Sequence, residues 1–159
     1  MQTLFDEPWA PGRLYYNKSS IFRTLSEEAI ETFLAYARET PTPSSAIAFQ
    51  QVHGAASRVG ADDMAFPHRY DHLSCYVHPV TDDPADCPKM IHWARECWQA
   101  VQPFAERALY VNALEDALEE GEQRIRDAYG PNHERLVALK KKYDPTNFFM
   151  LNQNIKPNR

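Results

Sequence analysis

Apolar side chains recur along this chain with two different periods, and together they predict strands alternating with helices. Ala29, Ile30, Phe33, Leu34 and Ala37 recur at three-and-four spacing, the mark of one helix face. Ser26 is a natural N-cap for that helix, Glu27 and Glu28 suit its positive end, and it stops before Pro41. Residues 41–45 are loop, and Ala46–Val52 reads as a strand that residues 55–59 continue after a kink at Gly54. Turn-rich residues 60–63 lead into a second extended stretch, residues 66–78, so the pair predicts a hairpin lying on a helix. Residues 81–88 form a polar, proline-rich connection. Met90, Ala94, Cys97, Trp98 and Val101 then mark a second helix that ends near Pro103. Residues 108–112 read as a short apolar strand, and the acidic residues 114–122 as either a loop or the start of a helix. The last helix has Asn132 as its cap, Leu136, Val137 and Leu139 on its apolar face, and Lys140, Lys141 and Lys142 at its negative end. Asp144-Pro145 stops it. The tail is polar yet holds Phe148, Phe149, Met150, Leu151 and Ile155, which predicts that it docks on something. Upstream, residues 13–18 read as a short strand after an irregular aromatic start containing Trp9. Hairpin-like neighbours favour an α+β fold, an antiparallel sheet with helices packed on one face, plus a C-terminal helix and extended tail.

Composition narrows the function classes. A chain of 159 residues has room for one core. Its net charge of −5 argues against binding nucleic acid by neutralising phosphates. The five glycines, Gly12, Gly54, Gly60, Gly121 and Gly130, are scattered, so no phosphate-cradling loop or dinucleotide turn is written here. Cys75, Cys87 and Cys97 form no CxxC pair and follow no secretory leader, which predicts reduced thiols in a cytoplasmic protein. No apolar run approaches a membrane span, and no targeting segment is expected.

Candidate chemistry is sparse. His68, His72 and His78 share one parity along an extended stretch, but residues 68 and 78 would lie about 33 Å apart in a strand, too far for one ion. No metal site is expected. There is no GxSxG nucleophile turn, no activating partner for the thiols, and no EF-hand pattern in the acidic stretch. His92 and Glu96 read as an exposed helix pair. Two patterns are left over: Tyr110-Val111-Asn112, a phenol and a carboxamide two residues apart, and Asn152-Gln153-Asn154, three successive carboxamides. Amides offer donors and acceptors to a heteroaromatic ring edge, although they can equally tie down the tail's own backbone.

At these residues the chain resembles a known family. Tyr110-Val111-Asn112, Tyr129-Gly130-Pro131-Asn132, Arg135-Leu136, Leu139-Lys140, Lys142-Tyr143-Asp144-Pro145, Asn147 and Asn152-Gln153-Asn154-Ile155 resemble the C-terminal segment of FAD-linked oxidases of the berberine bridge enzyme family. Residues 53–59, 65–69, 2–6 and 16–19 are similar to pieces of that family's substrate domain. The resemblance implies a partial substrate domain over residues 1–107 and the berberine-like segment over residues 108–159, forming one structural unit. It implies FAD as the cofactor, not held by this chain alone, with Tyr110, Asn112, Asn152 and Asn154 as cofactor-binding residues.

The implied function is a portion of an FAD-linked oxidoreductase that supplies a small-molecule substrate pocket and flavin-ring contacts and is inactive alone. Its implied partner is a protein bearing the FAD-binding domain, or a second copy of itself, with no nucleic acid and no membrane. No catalytic residue is assigned. Ala113 stands where many relatives have an aromatic residue, and Ser57 and Arg58 stand where some plant members have a catalytic carboxylate. Those departures support a second class of function, a standalone small-ligand or protein-binding domain that kept the fold without redox activity.

Overall fold

The computed structural model describes residues 10–114, 117–151 and 153–157, and of residues 117–120 the backbone only. The irregular start with Trp9, the family-like residues 2–6 and Asn152 lie outside the described residues. The strands are β1 (Leu14–Tyr15), β2 (Lys18–Phe22), β3 (Ala46–Val52), β4 (His72–His78) and β5 (Val80–Thr81). The helices are α1 (Glu27–Arg38), α2 (Cys87–Val101), α3 (Ala117–Tyr129) and α4 (His133–Tyr143). β2, β4 and β3 form an antiparallel sheet in that order, and β1 pairs with β5 in a small antiparallel ribbon. The α+β architecture and its antiparallel pairing match the expectation.

The core lies between that sheet and helices α1 and α2. Ser26 caps α1 by accepting from the Ala29 N–H. The buried residues Phe33, Met90, Trp93, Ala94, Cys97 and Val101 meet Phe22, Cys75 and Val77 of the sheet. Register explains which strand residues do this. Phe22 lies opposite Leu73, Ser20 opposite Cys75 and Lys18 opposite Val77, while Ile47, Phe49 and Gln51 of β3 are level with Val77, Cys75 and Leu73. Alternate residues therefore face the helices, and the residues between them face away.

Several boundaries differ from expectation. Residues 55–59 do not extend β3, because Gly54 takes a positive φ of 63° and Ala56–Arg58 folds into a 3-10 turn. Only residues 72–78 of the long extended stretch are strand. Residues 108–112 are no strand either, since the Ala113 N–H donates to the Tyr110 carbonyl and winds Val111–Ala113 into another 3-10 turn. The acidic stretch enters α3, whose backbone breaks at Gly121 with φ 77°. Asn132 precedes α4 but makes no side-chain cap. Its amide instead donates to the carbonyls of Ala61 and Met64, at 2.7 and 2.9 Å, tying the C-terminal helices to the loop between β3 and β4. A second apolar cluster, Leu109, Leu114, Ile125 and Ala128, lies beneath this C-terminal segment.

Candidate functional site

The face of the sheet turned away from the helices is polar. On β4 it carries His72, Ser74, Tyr76 and His78, and the register sets Gln50 beside Ser74 and Ala48 beside Tyr76. The Tyr76 hydroxyl donates to Gln50 Oε1 at 3.3 Å. This pair was missed from sequence, although the alternation of Leu73, Cys75 and Val77 with polar residues was there to be read.

Tyr110 approaches the same region. Its ring meets Phe66 edge-on at 5.4 Å, and Phe66 meets His68 at 5.4 Å. Tyr70 continues the run, with its ring centre 5.0 Å from that of His72 and the Arg23 guanidinium 3.7 Å above it. The 3-10 turn changes how Tyr110 and Asn112 meet but not that they meet: Asn112 Nδ2 donates to the Tyr110 hydroxyl at 2.7 Å. The phenol accepts in this bond and keeps its own proton to donate.

Burial favours the neutral forms of the histidines and the phenol of this wall. Burial pushes His68 below its ordinary pKa against the opposing pull of the Asp127 and Ala128 carbonyls. Burial also lowers His72, opposed by the Tyr70 carbonyl and reinforced by Arg23. Both residues are buried, and among the described residues neither Nε2 has a hydrogen-bond partner. Burial raises the Tyr76 phenol. The Cys75 and Cys97 thiols are equally inert, for burial raises Cys75 and pushes Cys97 up to about 12.

The tail reaches the site by a separate clamp. Gln153 Nε2 donates to the Leu114 carbonyl at 2.7 Å, two residues beyond Asn112. Gln153 Oε1 and Asn154 Oδ1 are enclosed acceptors without a protein partner among the described residues. Asn154 lines a cavity of about 270 Å³ between α3, α4 and the tail, with Ile125, Arg126, His133 and Lys156. The structure thus joins Tyr110 to Asn112 and sets Asn154 in a neighbouring recess. Asn152 lies outside the described residues.

Two expectations about catalysis are corrected or bounded here. Ser57 and Arg58 sit on a 3-10 turn and not on a strand, and the Ser57 hydroxyl donates to the Gly54 carbonyl at 3.2 Å. Among the described residues no cluster of His, Cys, Asp and Glu could hold a metal ion, and no helix is long and apolar enough to cross a membrane.

Comparison with known proteins accounts for this arrangement. Residues 109–156 match the family described as berberine and berberine like. An FAD-linked oxidoreductase of Dictyostelium discoideum is 30% identical over 99% of this chain and 34% of its own length. A berberine bridge enzyme-like protein of Nicotiana tabacum is 27% identical over 90% of this chain and 31% of its own length. The berberine bridge enzyme of Eschscholzia californica shares the fold, with a TM-score of 0.82 at 22% identity over 92% of this chain and 33% of that one. The chain therefore spans about a third of the length of the relatives it matches. The sheet, the C-terminal segment with Tyr110 and Asn112, and these likenesses converge on one conclusion: the chain belongs to the berberine bridge enzyme family of FAD-linked oxidoreductases.

Proposed function

We propose that this chain supplies the substrate-facing sheet and the flavin-side segment of an FAD-linked oxidoreductase acting on a small molecule, and that it works only with a partner bearing the FAD-binding domain. The observation that carries this reading is the Tyr110–Asn112 pair, locked by a 2.7 Å hydrogen bond beside the polar face of the sheet.

The residues fit the edge of a flavin. Such an edge carries carbonyls and an N–H group, and here a phenol with a proton to donate adjoins an exposed carboxamide, while Asn154 stands in the neighbouring recess. Tyr110, Asn112 and Asn154 would hold the ring, and Asn152 is proposed with them from its sequence position. When bound, the cofactor supplies hydride acceptance from the substrate. The chain's own residues do the rest: Tyr76 and Gln50 present a hydroxyl and an amide to substrate, and burial favours the neutral forms of His68 and of His72, which shares the Tyr76 face of β4. No carboxylate stands on this face among the strand residues of β3 and β4. Tyr76 and Gln50 therefore orient a substrate, and no catalytic base is assigned.

The test is reconstitution. The chain alone is expected to purify without yellow colour and to retain no stoichiometric FAD, whereas co-expression with the FAD-binding portion of a relative should give a flavoprotein that co-purifies with it. Asn112→Ala should shift the flavin absorbance bands of that complex. Tight FAD retention by the isolated chain would overturn the division of labour. A thermal-shift screen that finds small ligands stabilising the isolated chain, with no response to the FAD-binding portion, would favour the standalone binding module.

A further inference from the structure

Residues 53–71, between β3 and β4, hold no strand, yet they carry Phe66, whose ring meets that of Tyr110. Without a strand partner, the carbonyls of such a stretch must be met by side chains or water. The C-terminal segment supplies the side chains. Asn132, buried in the turn between α3 and α4, donates to the Ala61 and Met64 carbonyls at 2.7 and 2.9 Å, and Arg135 of α4 donates to the Asp62 carbonyl at 2.9 Å. Pro67 and His68 press on the same junction: a Cβ on Gly130 would stand 3.3 Å from Pro67 Cγ, and the Asp127 and Ala128 carbonyls face His68. Phe66 lies between these two anchorages. Arg69 completes its frame, donating to the Phe66 carbonyl at 3.3 Å with its guanidinium 5.1 Å from the ring centre.

Tyr110 needs a wall of this kind. Its backbone is held from below, because Leu109 and Leu114 are buried and the Ala113 N–H closes the turn onto the Tyr110 carbonyl. None of these contacts decides where the phenol points. Asn112 is exposed and only two residues away, so it follows the phenol and does not place it. Phe66 comes from a distant part of the chain, and its ring stands at 81° to that of Tyr110, the edge-on arrangement that ring quadrupoles favour.

We propose that Phe66 is the positioning residue for Tyr110, and that Asn132 and Arg135 set the place of Phe66 by holding the carbonyls of residues 61, 62 and 64. That role rests on the proposed function, in which Tyr110 meets the flavin edge, and it adds that residues touching neither flavin nor substrate aim the phenol.

The isolated chain labelled with 3-fluorotyrosine tests the placement directly, with Tyr110→Phe identifying the Tyr110 resonance. Phe66→Leu and Asn132→Ala should each move that resonance, whereas Phe33→Leu, the same change in the core beneath α1, should leave it in place. The double variant Phe66→Leu with Asn132→Ala should move it no further than the larger single change, because both act through one ring. If Asn132→Ala fails to fold, Arg135→Ala, at an exposed side chain, should displace the resonance in its stead. In the complex with the FAD-binding portion of a relative, Asn132→Ala should slow flavin reduction about tenfold or more while leaving KM within about twofold. A Tyr110 resonance indifferent to Phe66→Leu and to the Asn132 and Arg135 variants overturns the proposal, as does one that Phe33→Leu moves equally. Failure of the complex to form would instead overturn the proposed function, and the fluorine signal would still decide whether Phe66 places Tyr110.

Discussion

β2 and β3 flank the same central strand, yet their burial inverts what their side chains would suggest. β2 reads Lys-Ser-Ser-Ile-Phe and is buried at every position; β3 reads Ala-Ile-Ala-Phe-Gln-Gln-Val and is mostly exposed. The polar strand is enclosed with most of its polar groups met, although the Ser19 hydroxyl has no hydrogen-bond partner among the described residues. The Lys18 ammonium lies 5.5 Å from the Tyr16 and Trp98 ring centres, Ser20 Oγ accepts from Gln102, the Ser19 carbonyl accepts from the Trp98 indole, and Glu106 bridges the outer edge at Ile21. The apolar strand has helix on part of one face only. Burial thus follows the number of neighbouring layers, and an apolar strand left outside points to a layer supplied from elsewhere.

The largest test of that contrast is a matched pair of truncations. Phe22→Ala, in the fully buried strand, should cost about 3–5 kcal/mol. Phe49→Ala should cost about 1 kcal/mol, mostly its edge-on contact with Phe33. Urea unfolding measures both, and equal losses would erase the distinction. Acid should come next. The folded pKa values of His68 and His72 lie below those of the unfolded chain, so between the two the unfolded state binds more protons. Stability is therefore full above about pH 6.5 and falls as pH drops toward the folded values, visible as a declining melting temperature that His72→Gln flattens. Trp98→Phe, which strips the Ser19 carbonyl of its donor, should cost about 1 kcal/mol and raise exchange at β2 but not at β3. Tyr76→Phe should change stability by less than about 0.5 kcal/mol while altering substrate KM in the reconstituted complex.

How much of this could be read from residues depends on how local the cause is. α1 and α2 were legible because caps and periodic apolar positions are local. The faces of β4 were half legible: the parity of His68, His72 and His78 was visible, but His68 stands outside the strand and only register reveals Gln50 beside Tyr76. Residues 55–59 and 108–112 were misread as strands for one reason. A 3-10 turn depends on a single backbone hydrogen bond or one positive φ, which apolar patterning does not encode. Tyr110 and Asn112 were singled out correctly as neighbours, although strand alternation was the wrong cause. Asn132, expected as a helix cap, serves two carbonyls some seventy residues upstream, a partnership that no local rule contains.

One carboxylate sets the direction of the tail. Asp144, where α4 stops, accepts from the Phe148 and Phe149 N–H groups at 2.7 and 3.0 Å and from Lys140, whose ammonium holds its pKa down together with those two amides. Phe148, Phe149, Met150 and Leu151 are each more than 60% exposed, yet the backbone entering them is already fixed. Whatever binds this apolar segment thus meets a preorganised ligand, and the ordering entropy a loose tail would lose on contact has been lost during folding. A partner for this segment would bind with that advantage, and would lose it once acid protonates Asp144 and frees the tail.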